Sequence, residues 1–414
     1  MLGGILLMVL FFAASIPILQ MMKRKLPWFQ VGMMKNLYWF HCLFTIIYYI
    51  FQMFSRSDSV EYFNRPQYNY ANWFAAYDTG TSFIDFVGYP FINYLGFTFE
   101  MMYALFSWLG YWGFVFFYVY IKENIKYKHK VQGMDLIGLL IFLPNMHFWT
   151  VSLGKGSIIF FGLGMVMYGL SQLKTRKIPL IIGLLVVYHV RPHVFLFMAV
   201  GIVMGLFTGR QKVPIWQKFL VLGAAVGAMV LLYDKIMAFS KIDGDNVVQS
   251  FNQFSSVRAY ELSKSAGSGI DISNYPLVLK LFTFWFRPLF VDAPGAMGLV
   301  VSIENMLYLY LAFQLCQKGF IKFLRKSSAL VKTSAVTFLA TSFALSNTMS
   351  NMGIIIRQKS MIMYFLMFVI LSFMDYRKHM QVMKRHQRAL KEKEETPTPT
   401  PVPGREIKLS IATR

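Results

Sequence analysis

Charge is what this sequence has least of. Asp, Glu, Lys and Arg make up 14% of its residues, where a soluble domain carries about 25%. Acids are the scarcer sign, 19 against 41 Lys and Arg, which leaves a formal charge of +22. The deficit makes lipid, rather than water, the main solvent of the chain. Cysteine is nearly absent. Cys42 and Cys316 each sit in or at the end of an apolar run, so neither a disulfide nor a metal site is indicated. The first twenty residues have no basic n-region and read as a true membrane helix rather than a cleaved signal peptide. No internal repeat relates the two halves, and no His-based acyl-transfer pattern is present.

In place of charge the sequence has apolar and aromatic residues, 56% and 17% of the chain. A hydrocarbon core of ~30 Å asks for runs of about 20 such residues. Runs occur at 2–20, 37–55, 101–121, 157–173, 194–208, 219–233, 299–316, 333–347 and 360–373, with shorter ones at 136–143 and 178–190. The aromatic stretch 277–290, which carries Arg287-Pro288, reads as an interfacial or re-entrant helix. Lys and Arg gather in every second connection, around 23–35, 122–130, 174–177, 210–212, 318–332 and from 376 onward.

Placing those clusters in the cytoplasm follows the positive-inside rule and closes the topology without contradiction. The expected fold is all-α, a polytopic membrane bundle of about 11 transmembrane helices, with the N-terminus outside and the C-terminus cytoplasmic. The bundle covers residues 1–375, with outer loops at 56–96 and 236–298. Residues 376–414 are basic, then low-complexity around 396–403, and are expected as a disordered cytoplasmic tail. Short basic clusters between apolar runs suit contact with anionic membrane lipid. They form no basic stripe interleaved with exposed aromatics, so nucleic acid is not an expected partner.

The unusual polar residues fall on the outer side of this topology. Asp58 and Glu61 follow the second run and are placed to act as general bases; Asp78 and Asp85 are weaker candidates for the same work. Pro144, His147 and Trp149 lead into Gly154-Lys155-Gly156, where a helix start with free N–H groups favours an anion. His189, Arg191, Pro192 and His193 interrupt an apolar hairpin, a costly place for ionisable groups. Arg287, Asp292 and Glu304 come next, then Arg357 and Lys359. Singly, each also reads as an anchor, a turn or an internal ion pair. Together, outward cations go against the lysine/arginine bias, and a phosphate or pyrophosphate headgroup would account for them.

The order of these pieces resembles multi-spanning bacterial envelope glycosyltransferases of the GT-C type and the related O-antigen and exopolysaccharide polymerases. The resemblance is carried by Asp58-Ser-Val-Glu-Tyr62, Pro144…Phe148-Trp149…Gly154-Lys155, Arg191-Pro-His193, Phe286-Arg287-Pro288 and Asn351…Gly353…Arg357. It implies an enzyme of the bacterial inner membrane that uses sugar linked to polyprenyl phosphate or pyrophosphate at the outer leaflet. Asp58 is then the loop carboxylate, with Glu61 beside it. His147, Lys155, Arg191, His193, Arg287 and Arg357 are then the substrate contacts. One departure stands out: similar sequences carry an acidic residue after the lysine, where this chain has Gly156. The sequence leaves open whether a divalent cation takes part, and it does not fix the oligomeric state. The alternative is a transporter or flippase of a lipid-linked saccharide, to which broken helices and buried charges are equally suited.

Overall fold

The computed structural model describes residues 1–55, 57–210, 213–240, 272 and 275–395. Arg56, most of the loop expected at 236–298 and residues 396–414 lie outside the described residues. The described chain is helical apart from a two-residue hairpin pairing Lys130–Val131 with Met134–Asp135. In order, the helices are α1 Leu2–Lys25, α2 Val31–Phe54, α3 Ser59–Tyr68, α4 Thr81–Tyr89 and α5 Phe99–Asn124. Then come α6 Leu136–Ile141, α7 Pro144–Thr150, α8 Lys155–Ser171, α9 Lys177–Val190, α10 Pro192–Thr208 and α11 Ile215–Ser240. The set closes with α12 Leu277–Phe286, α13 Gly295–Ala312, α14 Phe320–Lys326, α15 Ala329–Thr348, α16 Met352–Ser360 and α17 Met363–Glu395.

Among the described residues, five helices are long and apolar enough to cross a membrane, or six if α16 and α17, bent by 55°, count as one span. Six shorter apolar stretches accompany them. The chain therefore reads as a multi-pass, all-α membrane protein. Breaks fall where local chemistry dictates. Leu143, ahead of Pro144, is extended, as a residue before proline must be, and Pro144 opens α7 where a missing N–H costs nothing. Arg191 and Pro192 repeat the device between α9 and α10. Asp135, Ser328 and Asn351 cap α6, α15 and α16 through their side chains.

α5 is the central post, packed by α1, α2 and α8. Its tyrosines are buried; Tyr111 donates to Met34 O at 3.2 Å and Tyr120 meets Ser334 at 2.8 Å. Close packing elsewhere rests on glycine. Gly201 and Gly205 on α10 and Gly209 at its C-cap recur every fourth residue. A Cβ at the first two would overlap the Thr337 and Thr333 hydroxyls of α15. This small-residue seam, the usual way helices adhere in lipid, has no counterpart in a hydrophobicity reading. Beneath the polar end lies a buried imidazole pair, His41 Nδ1 to His147 Nδ1 at 2.7 Å. His147 Nε2 faces the Ile141 carbonyl at 2.8 Å and must donate to it, so in the neutral pair His147 Nδ1 accepts and His41 Nδ1 donates.

The basic connections meet at one end of the bundle. Arg176 pairs with Glu123 at 2.9 Å, Arg210 N donates to Ser327 O at 3.1 Å, and Tyr127 N donates to Asp375 at 2.7 Å. The opposite end gathers the Met1 amino group with Glu100 at 3.4 Å, and Gly80 N with His189 O at 2.6 Å. One expectation is corrected. The segment expected to be disordered from 376 continues α17 as helix through Glu395, because its Met, Lys, Arg, Gln, Ala and Leu are strong helix formers.

Candidate functional site

At the non-basic end, the first polar loop folds back as α3 and α4. Arg65 of α3 grips Asp85 of α4 with two hydrogen bonds of 2.8 and 3.1 Å, and Tyr70 donates to the same carboxylate at 2.8 Å. Burial disfavours the Arg65 cation, but the hydrogen bonds and charge of Asp85 more than offset it and hold its pKa above the ordinary value. Burial, then the bond to Asp85, raises the Tyr70 phenol. Asp85 is 0% exposed and fully employed as a staple. Asp78 accepts from Thr79 N at 2.7 Å, a local turn.

Asp58 is differently placed. It holds the N-cap position of α3 but does not cap the helix. Its carboxylate, 62% exposed, is turned instead to Arg357 of α16 at 3.4 Å. Buried Tyr62, one turn on, interacts with Asp58, Arg357 and Arg65, the last lying over its ring at 4.8 Å. Glu61 sits on the exposed side of the same helix, 3.4 Å from Arg65.

Lys155 enters from the other side. Gly154 comes so close to Tyr62 that a Cβ there would stand 3.2 Å from the ring, and a Cβ on Gly80 would be 3.9 Å from Lys155 Nζ. Lys155 lies within electrostatic range of Arg191, Arg357, Asp58 and Arg65. Its successor is glycine for a steric reason: a Cβ at Gly156 would overlap the Trp149 carbonyl oxygen. An acidic side chain has no room at this position.

Arg191, 7% exposed, donates from Nη1 to Gln358 of α16, while its Nε is buried without a partner. No carboxylate pairs with it among the described residues. It interacts with Arg357 and Tyr62, and half-buried His193 interacts with Arg191 and Lys155. His189 pins the loop above, meeting the Tyr77 hydroxyl at 2.8 Å and stacking on Phe83.

The cations expected on one face are thus divided by α16. Arg357 and Lys359 are two residues apart, about 200° around a helix. Arg357 faces Asp58, whereas Lys359, 0% exposed, donates to Asn305 at 2.6 Å and to Arg287 O at 2.8 Å. On that side Arg287 pairs with Asp292, and Glu304 accepts from Asn145 N at 2.6 Å, a carboxylate at the start of α7. Arg287 and Lys359 belong to an internally satisfied clamp, and His147 to the imidazole pair in the core. Asp58, Lys155, Arg191, His193 and Arg357 come together, with Glu61 at the margin. Tyr62 and Gln358 join them without any sequence signal beyond their neighbours. Among the described residues no group of three or more His, Cys, Asp or Glu side chains gathers to hold a metal.

The arrangement is chemically lopsided. Lys155, Arg191 and Arg357 face one carboxylate, Asp58, leaving two positive charges at the end of the bundle that the basic connections avoid. Such a cluster can hold an anion with two or more negative oxygens, with a carboxylate alongside. No family model, no curated protein and no solved structure matches the chain.

Proposed function

We propose that this chain is a membrane glycosyltransferase, or a polysaccharide polymerase of the same chemistry, using sugar linked to polyprenyl phosphate or pyrophosphate. The observation that carries the reading is the buried Arg191 guanidinium with no carboxylate bonded to it, beside Lys155 and Arg357. A buried cation without a counter-ion is costly, and a ligand phosphate supplies the missing charge. In the reaction, Asp58 accepts the proton of the acceptor hydroxyl, whose oxygen forms the new bond to the sugar's anomeric carbon. The bond from that carbon to the phosphate oxygen breaks, and the departing phosphate takes the electron pair against the three cations.

The decisive measurement is lipid binding by full-length protein in nanodiscs, using a polyprenyl phosphate and a polyprenyl pyrophosphate as probes. Arg191→Gln is expected to weaken binding by about tenfold or more, the scale of a lost charge-assisted contact. Binding of equal strength in the variant removes the basis of the proposal. Movement of a lipid-linked saccharide between leaflets with no bond made or broken favours a transporter instead.

The reading includes an orientation: about 11 spans in a bacterial inner membrane, the N-terminus outside, the basic connections and C-terminus in the cytoplasm. With Cys42 and Cys316 replaced by serine, Ser57→Cys is expected to react with an impermeant maleimide on intact cells. Lys128→Cys is expected to react after permeabilisation alone. The opposite pattern inverts the topology and moves the site to the cytoplasm.

A further inference from the structure

α17 is 33 residues long, about 50 Å at 1.5 Å per residue, against a hydrocarbon core of ~30 Å. Its second half therefore projects beyond the membrane. The connection after α5 clasps the point of emergence: Lys378 donates to Lys128 O at 2.8 Å, and Tyr127 meets His379 at 3.1 Å. From Lys378 to Glu392 every residue is exposed.

This exposed stretch is patterned. Met380, Met383, Gln387 and Leu390 follow one another at spacings of three, four and three, the a/d seam of a coiled coil, in step with half-buried Tyr376, which packs against Phe323 of α14. Met380, Met383 and Leu390 are 41%, 41% and 47% exposed. The flanking e positions are Arg377, Lys384 and Lys391, all cationic, and the g positions are His379 and His386. A second copy cannot match this seam electrostatically. Parallel, its e cations would face histidines; antiparallel, they would face one another. Neither arrangement supplies a carboxylate. The stretch continues the buried half of α17 without a break, so it leads away from the bundle in line with that half.

We infer that the 376–391 face of α17 is a docking seam for an acidic, heptad-patterned helix of a separate protein, with Gln387 as the polar a position that fixes register. The inference is independent of the glycosyl-transfer reading.

The test uses the full-length chain in zwitterionic nanodiscs and a synthetic three-heptad peptide with Leu at a and d, one Gln at a, and Glu at e and g. Saturable binding is expected, weakened about tenfold or more by Met383→Glu. The pair Lys384→Glu and Lys391→Glu is expected to do the same and to be rescued by a peptide with Lys at e and g. Three results overturn the inference: no binding, binding unaffected by Met383→Glu (a plain polycation), or disulfide-linked dimers through Met383→Cys (a second copy). Because the segment is exposed, these variants leave the bundle intact, and unchanged thermal unfolding confirms it.

Discussion

Asp58→Asn is expected to lower sugar transfer by about 10²–10⁴-fold, the usual worth of a positioned base, while leaving the unfolding temperature unchanged. The two halves of that expectation have separate physical grounds. The carboxylate is largely exposed, does not cap α3, and makes one loose contact with Arg357, so its loss removes little stability. It is also the acid that stands among Lys155, Arg191 and Arg357. Asp85→Asn is the contrasting control. It breaks the two-bond grip of Arg65 and deprives Tyr70 of its acceptor, at a fully buried position. Removing one partner of a buried pair costs about 3–5 kcal/mol, and a fall in unfolding temperature measured by a thiol- or fluorescence-based melt is expected. Full transfer by Asp58→Asn would end the assignment of Asp58 as base. A melt lowered as far as that of Asp85→Asn would reassign it as a structural acid.

Gly205→Leu is expected to have the largest effect on the bundle itself. The Cβ alone would overlap Thr333 Oγ1 and approach the Ala329 carbonyl oxygen, so α10 and α15 must separate along their length. Overpacking costs about 1–3 kcal/mol even for small additions, and parting the helices also forfeits the close contact that holds them together in lipid. Gly223→Ala, on α11 with open space around it, is expected to be neutral or slightly stabilising. Equal unfolding temperatures for the two variants in detergent would show that the seam contributes nothing.

The helices were legible in the sequence because burial in lipid demands unbroken apolar runs, and the breaks at Pro144 and Pro192 were legible from backbone chemistry. The short runs at 136–143 and 178–190 are helices in the structure, though 136–143 ends at Ile141, with α7 beginning at Pro144. The site was legible in part. Asp58, Lys155, Arg191 and Arg357 share a region because each stands near a break between apolar runs, and the alternation of basic and non-basic connections puts those breaks at one end of the bundle. Which cations face one another depends on rotation about the helix axis, and no apolar run records that. Arg357 and Lys359 therefore looked equivalent, yet one meets Asp58 and the other Asn305. His147 looked like part of the polar end, but its partner His41 lies more than a hundred positions away on α2, in a run without any polar signature. The extension of α17 was obscured by composition, since a basic, exposed stretch reads as a tail until its heptad spacing is counted.

Arg357, Gln358 and Lys359 are consecutive, and each holds a different part of the molecule: Asp58, Arg191 and Asn305. One residue more or fewer between Asn351 and Arg357 would turn all three by about 100° and release every one at once. The short helix therefore acts as an indexed shaft that admits no change in length.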